Sequence, residues 1–321
     1  MPRHPTRLRT RTWFLSTLQV RGSVIQAVLP RCLLCGGVGL LVSALYAWGY
    51  LTPWPILGSL IPDLVLGLLL VFRTNTAYER FWEGRKAWGA IINTARNLGR
   101  QILVLVKESN PQDHKEKIRA LRLLAAFTVA LKLHLRGQSV NEEIEALVPP
   151  NYYYLLKEAQ HPPLAIALWL EDYLKRQCEY GHLNVYQMTL MSSTLGKLVD
   201  EVGSCERIQK TPIPMAYAIH LRQLLLLYCL LLPMRVVRDL TWWTGPAEAL
   251  MSFVVLGVEE IGNEIEDPFG TDANDLPLDS LCNTMNRNME DLVQLAITSQ
   301  VAGQDDSTIV LESYELPRSS V

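Results

Sequence analysis

The beginning of the chain has no acidic residue: neither Asp nor Glu precedes Asp63. Arginine, by contrast, occurs six times in the first 31 residues. A basic segment ahead of an apolar span predicts a cytosolic N-terminus, because Lys and Arg are retained on the cytosolic side of a membrane. An Arg-rich, acid-poor leader is also typical of organelle transit peptides, and this is the alternative interpretation.

The sequence also has no signature of a common enzyme class. It contains no G-x-S-x-G, no phosphate-binding loop and no H-E-x-x-H, and its six histidines are scattered. A net charge of −2 gives no general bias toward nucleic acid. Cys32 and Cys35 form a C-x-x-C within an apolar helix, without a second pair, and are expected to be packing residues. We therefore expect neither an enzyme nor a nucleic-acid-binding protein.

Long uncharged stretches are present instead, and they predict membrane spans. No charged residue occurs between Cys32 and Pro62, and Gly36, Gly37 and Gly39 favour close helix contact there. Apolar runs return at 224–234 and 249–258. Together with the helix that begins near Pro62, these runs predict four spans, two early and two late. A mean hydropathy of +0.11 is typical of a chain that is part membrane and part soluble.

The second of these helices begins as an apolar run and continues as a polar one. Leu64 to Phe72 is too short to cross a bilayer, which takes about 20 apolar residues. Leu64, Leu68 and Phe72 follow each other at four-residue steps and form one stripe. Such a stripe is either ordinary helix packing or the lining of a pore that gates by dewetting. Asp63 and Arg73 flank the run, and since charges avoid lipid, we expect both to face protein or water.

The rest of the chain is predicted to be helical and cytosolic. Residues 111–210 have charged and apolar groups at helical spacing, and the uncharged stretch between Arg122 and Lys132 indicates a buried core helix. Residues 259–279 are densely acidic, which suits either a Ca²⁺ site or a solvated turn. These predictions divide the whole chain into six segments. They are 1–31 (basic, cytosolic), 32–110 (first two membrane helices), 111–210 (cytosolic helices), 211–266 (third and fourth membrane helices), 267–300 (acidic loop and cytosolic helix) and 301–321 (disordered tail).

Three stretches together resemble the bestrophin ion channels of bacteria, cyanobacteria and plant plastids. They are "FRTNTAYERFWEGRKAWG", "KTPIPMAYAIHLRQ" and "EEIGNEIEDPFGTDANDLPLD", and the resemblance extends from about Trp13 to Leu292. It implies an all-α, polytopic membrane protein with four transmembrane helices and a helical cytosolic region, assembled as a homopentamer around one pore. The resemblance also implies that Leu64, Leu68 and Phe72 form the pore neck, on a helix that continues into the cytosol.

The expected function is passive transport of chloride or a related monovalent anion such as bicarbonate. Animal members carry aromatic residues at two neck positions, whereas the middle one here is Leu68, so a cation channel of the same fold is the alternative. A non-conducting membrane scaffold is an alternative from another class. The resemblance implies contact with membrane lipid, a cell inner membrane or thylakoid location, and both termini on the cytosolic or stromal side.

Two further sites follow from the resemblance alone. The cytosolic aperture of the family aligns near Tyr186. The Ca²⁺ site of animal members aligns with the carboxylates of Asp272 and Asp275 and the backbone carbonyls of Glu264 and Asp267. Because Ala273 and Asn274 interrupt the run of acids, we expect a structural turn rather than a functional Ca²⁺ site, and no cofactor.

Overall fold

The computed structural model describes residues 22–52 and 60–312, and every regular element in these two ranges is a helix. The longer helices are α1 (Ile25–Ala47), α2 (Leu60–Leu105), α3 (Pro111–Leu135), α6 (Pro162–Glu179), α7 (Val185–Lys210), α8 (Met215–Leu240), α9 (Thr244–Glu266) and α10 (Leu278–Glu312). Two short helices, α4 (Glu142–Glu145) and α5 (Pro150–Glu158), follow α3, and a 3-10 turn at Thr241–Trp243 joins α8 to α9. The expected all-α fold is confirmed.

The chain divides into two compact units. The first comprises the residues up to Glu83 together with Lys210–Leu276, and the second comprises Gly84–Gln209 together with the residues from Pro277 onward. The helix α2 is continuous across this division: its apolar start and the first part of its polar continuation, up to Glu83, belong to the first unit, and the rest belongs to the second.

In the first unit, α1 packs closely against α9 through small residues. A Cβ atom added to Gly39 would lie 3.0 Å from the Cα atom of Gly245, and one added to Gly36 would lie 3.0 Å from the Cβ atom of Ala249. Larger side chains would force the two backbones apart. The expected close helix contact is confirmed at Gly36 and Gly39, whereas Gly37 faces open space.

Two segments of this unit are long and apolar enough to cross a membrane. They are Ile25–Ala47 and Met215–Glu266, and the second contains both α8 and α9. At about 1.5 Å per residue, the 23 residues of α1 extend about 35 Å, which exceeds the roughly 30 Å of a hydrocarbon core. The hydroxyl of Ser43 donates to the carbonyl oxygen of Thr241 at 2.8 Å and ties the end of α1 to the turn between α8 and α9.

Exposed aromatic side chains gather at this end of the unit. They are Trp48 and Tyr50, which follow α1, and Trp242 and Trp243 in the turn. Such residues are enriched where a membrane meets water. Their position fits helices that end at an interface, while the number of spans stays a prediction.

In the second unit, α3 is the central helix. Every residue from 123 to 133 is buried, which confirms the core helix expected there. The helix begins at a capping box: the Asn110 side chain accepts from the amide of Asp113 at 3.0 Å, and the Asp113 carboxylate accepts from the amide of Asn110 at 3.1 Å. Pro111 occupies the first helical turn, where its missing N–H has no cost.

Two segment boundaries differ from those expected. The helix α1 begins at Ile25 and includes Pro30, so the last residues of the expected basic segment are already helical. Residues 1–21 lie outside the described residues. The helix α10 extends to Glu312, so residues 301–312 are helical and not part of a disordered tail. Its last turns contain no proline and one glycine, Gly303, which a helix tolerates at a cost of about 1 kcal/mol. Residues 313–321 lie outside the described residues.

A buried cation holds three elements of the second unit together. Lys132 on α3 is almost fully buried, and its ammonium group lies 2.7 Å from the Glu143 carboxylate and 2.8 Å from that of Asp279. Arg136 also reaches Asp279, at 3.0 Å. The hydrogen bond from Lys132, supported by Arg136, lowers the pKa of Asp279 below its usual value.

We expect Asp279→Asn to lower the free energy of unfolding by about 1–2 kcal/mol at neutral pH. This loss lies at the lower end of the range for hydrogen bonds to charged groups, because 60% of the Asp279 side chain is exposed to solvent. Since the folded-state pKa is lowered, the stabilisation is fully present above about pH 4 and is lost as the pH falls through the lowered value. Denaturant unfolding at several pH values measures this difference. Asp172→Asn, which breaks only an exposed pair with Arg176, is the control, and an effect of Asp279→Asn that does not change with pH would contradict the assignment.

Candidate functional site

The start of α2 has one buried face and one exposed face. Leu66 and Leu70 are 6% exposed and pack against α8. Leu64, Leu68 and Phe72 are 74%, 54% and 56% exposed. Because a helix advances about 100° per residue, these three lie within an arc of about 80° on the opposite side from Leu66 and Leu70. The predicted stripe is therefore an apolar surface that nothing in the described part of the chain covers.

The charges that flank the stripe are both paired within the chain. Arg235 donates to the two carboxylate oxygens of Asp63 at 3.0 and 2.8 Å. Arg73 is 2% exposed and donates to Glu266 at 2.6 Å and to Asn263 at 2.9 Å. The expectation that both charges face protein is confirmed. Because a single chain meets this requirement, the two charges give no argument for an oligomer.

A polar network lies next to the Arg73 end of the stripe. Arg222 on α8 donates to the Glu259 carboxylate at 3.2 Å and to the Asn263 side chain at 3.3 Å. Asn263 donates in turn to Glu259 at 2.8 Å, and Glu266 also accepts from the amide of Ile213 at 3.0 Å. The network joins α2, α8 and α9 at the level where α2 becomes polar. The spacing of Glu259, Asn263 and Glu266 along one helix is the sequence signal that could have indicated it.

Arg80 extends this network by two further hydrogen bonds. Its Nε donates to the backbone carbonyl of Glu266 at 3.2 Å, and its Nη1 donates to the carbonyl of Thr211. Glu266 is the last residue of α9 and Thr211 directly follows the last residue of α7, and carbonyls at the C-terminal ends of helices have no partner within the helix. Arg80, the first basic residue of the "RFWEGRK" stretch, thus fixes the position of α2 in the first unit.

Tyr186 lies on the first turn of α7, in the second unit, and is 87% exposed. A reciprocal cap fixes this turn. The backbone amide of Gln187 donates to the Asn184 side chain at 2.8 Å, and the backbone amide of Asn184 donates to the Gln187 side chain at 3.0 Å. The side chain is thus presented on the surface of its unit. Its role as an aperture residue stays a prediction.

The acidic loop uses its carboxylates to close its own turn. Asp275 accepts from the amide of Asp272 at 2.6 Å, and Asp267 accepts from the amide of Phe269 at 3.2 Å. A Cβ atom at Gly270 would lie 2.6 Å from the Asp275 carboxylate, so a larger residue there would displace this carboxylate from its position in the turn. Among the described residues, groups of three Asp, Glu, His or Cys side chains close enough to share a metal ion occur elsewhere and not in this loop.

Glu264 has a different contact in the same region. Its carboxylate accepts from the Asn274 side chain, which also donates to the backbone carbonyl of Gly22 at 3.3 Å. The loop is thereby attached both to α9 and to the segment that precedes α1. Of the four residues aligned with a Ca²⁺ site, three therefore have side chains engaged in hydrogen bonds that shape the loop or attach it.

The matched protein family decides the assignment. The model of the family described as "Bacterial/Fungal Bestrophin protein" matches residues 4–291. The chain belongs to the bestrophin family. The expected resemblance is confirmed over nearly the whole of its expected extent.

Curated and solved bestrophins agree with this assignment. The chain is 56% identical to the "voltage-dependent anion channel-forming protein alr2987" of Nostoc, over 88% of this chain and 92% of that one. It is 53% identical to the "voltage-dependent anion channel-forming protein sll1024" of Synechocystis, over 94% of this chain and 98% of that one. A crystal structure of a bacterial bestrophin homolog from Klebsiella pneumoniae superposes with a TM-score of 0.76 at 30% identity, covering 84% of this chain and 98% of that one.

Proposed function

We propose that this bestrophin is an anion channel, and that five copies surround a pore whose neck is formed by Leu64, Leu68 and Phe72. The observation that carries the proposal is the exposed apolar stripe on α2, where the opposite face of the helix is packed and ion pairs flank the two ends of the stripe. A single chain cannot enclose a pore with one such helix, whereas a ring of copies brings the stripes together. Stacked apolar rings then form a constriction that opens when water enters it.

The names of the relatives and the charge on α2 support an anion as the transported ion. The Nostoc and Synechocystis relatives are both described as anion channel-forming. Beyond the stripe, exposed basic side chains on α2 outnumber exposed acidic ones; the basic ones are Arg85, Lys86, Arg96 and Arg100. A cation-rich wall raises the local concentration of anions. We propose chloride as the ion that tests this best, with bicarbonate as a related monovalent anion.

Reversal potentials of the purified protein in planar bilayers with a chloride gradient test the proposal. An anion channel shifts the reversal potential toward the chloride equilibrium potential, whereas a cation channel shifts it in the opposite direction. A non-conducting scaffold gives no current. The mass of the assembly in mild detergent tests the oligomer separately: a pentamer is expected, and only monomers or dimers would contradict it.

We also propose a location for the channel. The lipid-facing surface of the first unit includes Leu33, Leu34 and Leu41 of α1, which are each more than half exposed. The proposed membrane is the cell inner or thylakoid membrane, with both termini on the cytosolic or stromal side. Protease accessibility of tags at the two ends, measured in sealed vesicles, tests the orientation.

We expect the acidic loop to bind no Ca²⁺ at micromolar concentration, because the carboxylates of Asp267 and Asp275 already accept hydrogen bonds from the loop itself. Calorimetric titration with Ca²⁺ measures this directly. The variant Asp272→Ala/Asp275→Ala is expected to lower stability without changing the Ca²⁺ titration. Micromolar binding that the double variant abolishes would overturn the structural interpretation of the loop.

A further inference from the structure

Three buried side chains from three helices of the first unit converge on one point. They are Cys35 on α1, Cys229 on α8 and Glu248 on α9, and their sulfur and carboxylate atoms all lie within 4.8 Å of one another. The three residues are 8%, 2% and 0% exposed. Cys35 therefore meets the other two across the helix interfaces, rather than Cys32 of its own C-x-x-C.

The carboxyl group of Glu248 is only half satisfied. Its Oε1 accepts from the Ser252 hydroxyl at 3.0 Å, whereas its Oε2 is buried without a hydrogen-bond partner in the described part of the chain. A buried polar atom without a partner is energetically unfavourable, and more so if it is charged. An ionisable group inside a membrane segment is expected to pair with another group or an ion. This oxygen therefore points to a missing partner within the cluster.

The donor set is that of a thiophilic divalent cation. Zn²⁺ takes cysteine sulfur at about 2.3 Å and carboxylate oxygen at about 2.0–2.2 Å, and two sulfurs on one tetrahedral ion lie about 3.8 Å apart. The three ligand atoms lie within 4.8 Å of one another, which is close to the spacing of such an arrangement. Binding of the ion releases the thiol protons of Cys35 and Cys229 to solvent, and the two thiolates match its charge, while the Glu248 side chain coordinates through oxygen. Ca²⁺ and Mg²⁺ are disfavoured, because they prefer an all-oxygen shell.

We propose that Cys35, Cys229 and Glu248 form a binding site for Zn²⁺ or a similar thiophilic cation that links α1, α8 and α9. A disulfide between the two cysteines is the competing use of the same sulfurs. It would leave the Glu248 oxygen without a partner, whereas a cation supplies one. The close contact of α1 with α9 at Gly36 and Gly39 is the feature that brings Cys35 within reach of Glu248.

The test uses the full chain purified in detergent, reduced and stripped of metal with a chelator. Titration with Zn²⁺ alone, followed by elemental analysis, is expected to give about one ion per chain and to raise the thermal unfolding midpoint. Titration with Co²⁺ is expected to give the charge-transfer absorption of a cobalt–thiolate bond. Cys229→Ser and Glu248→Gln are each expected to weaken Zn²⁺ binding by more than about 100-fold, above the 10- to 100-fold loss seen for residues that only orient ligands.

Cys32→Ser is the matched control, because Cys32 is a buried cysteine one turn from Cys35 on the same helix but outside the cluster. It is expected to bind Zn²⁺ like the unmodified chain. Zn²⁺ binding that Cys229→Ser and Glu248→Gln leave unchanged would overturn the proposal, as would absence of binding or a disulfide-linked Cys35–Cys229 peptide in the non-reduced chain. If Cys229→Ser fails to fold, the isosteric Glu248→Gln decides.

Discussion

Replacing Leu64, Leu68 and Phe72 together with alanine is expected to raise channel conductance or open probability several-fold. Each substitution removes a large apolar side chain from the exposed face of α2 and leaves the buried face intact. Smaller apolar rings leave a wider constriction, and a wider constriction is easier for water to enter. Single-channel recording in planar bilayers at a fixed chloride gradient separates a change in conductance from a change in open probability.

A matched control comes from another helix of the same unit. Leu33, Leu34 and Leu41 on α1 are exposed to a similar degree, and their replacement by alanine is expected to leave the currents unchanged. If the neck variant assembles normally and its currents are those of the unmodified channel, the stripe is not the constriction. If instead the neck variant loses its oligomeric state, the stripe packs against a neighbouring copy rather than lining water.

The pore-lining helix shows what can be predicted from sequence and why. The stripe is local: its three residues are four apart, so helical geometry alone places them on one side. The resemblance to bestrophins then selected the pore interpretation over ordinary packing. The structure adds that Leu66 and Leu70 occupy the opposite face, which could be inferred from the same periodicity.

Contacts between distant segments could not be predicted in this way. Arg73 and Glu266 are separated by 193 positions, and no local pattern pairs them. The same holds for Cys35 and Glu248, which lie on different helices far apart in the sequence, and the sequence indicated only a packing role for Cys35. The disordered tail was predicted from polarity, but a polar segment without proline can still continue a helix, as residues 301–312 do.

Arg73→Met is expected to lower the free energy of unfolding by about 3–5 kcal/mol, the range for breaking a buried ion pair by removing one partner. The guanidinium is 2% exposed, and its loss leaves the carboxylate of Glu266 facing the space that it vacates. Thermal or denaturant unfolding in detergent measures the loss. Arg31→Met is the control, because Arg31 makes an exposed pair with Glu260 at 2.9 Å, and such pairs contribute about 0–1 kcal/mol.

A second substitution, at Glu266, distinguishes the loss of an ion pair from the loss of side-chain packing. In Arg73→Met/Glu266→Gln a neutral amide replaces the carboxylate, so no unpaired charge remains. The double variant is therefore expected to be more stable than Arg73→Met alone. Removal of Arg73 also relieves a cost, because its Nη1 atom is buried without a hydrogen-bond partner among the described residues, and full recovery would agree with the ion-pair role. If the double variant were no more stable than Arg73→Met, the loss would stem from the missing side-chain volume. The hydrogen bond from Arg80 to the backbone carbonyl of Glu266 would then hold α2 to α9 without the help of this charge.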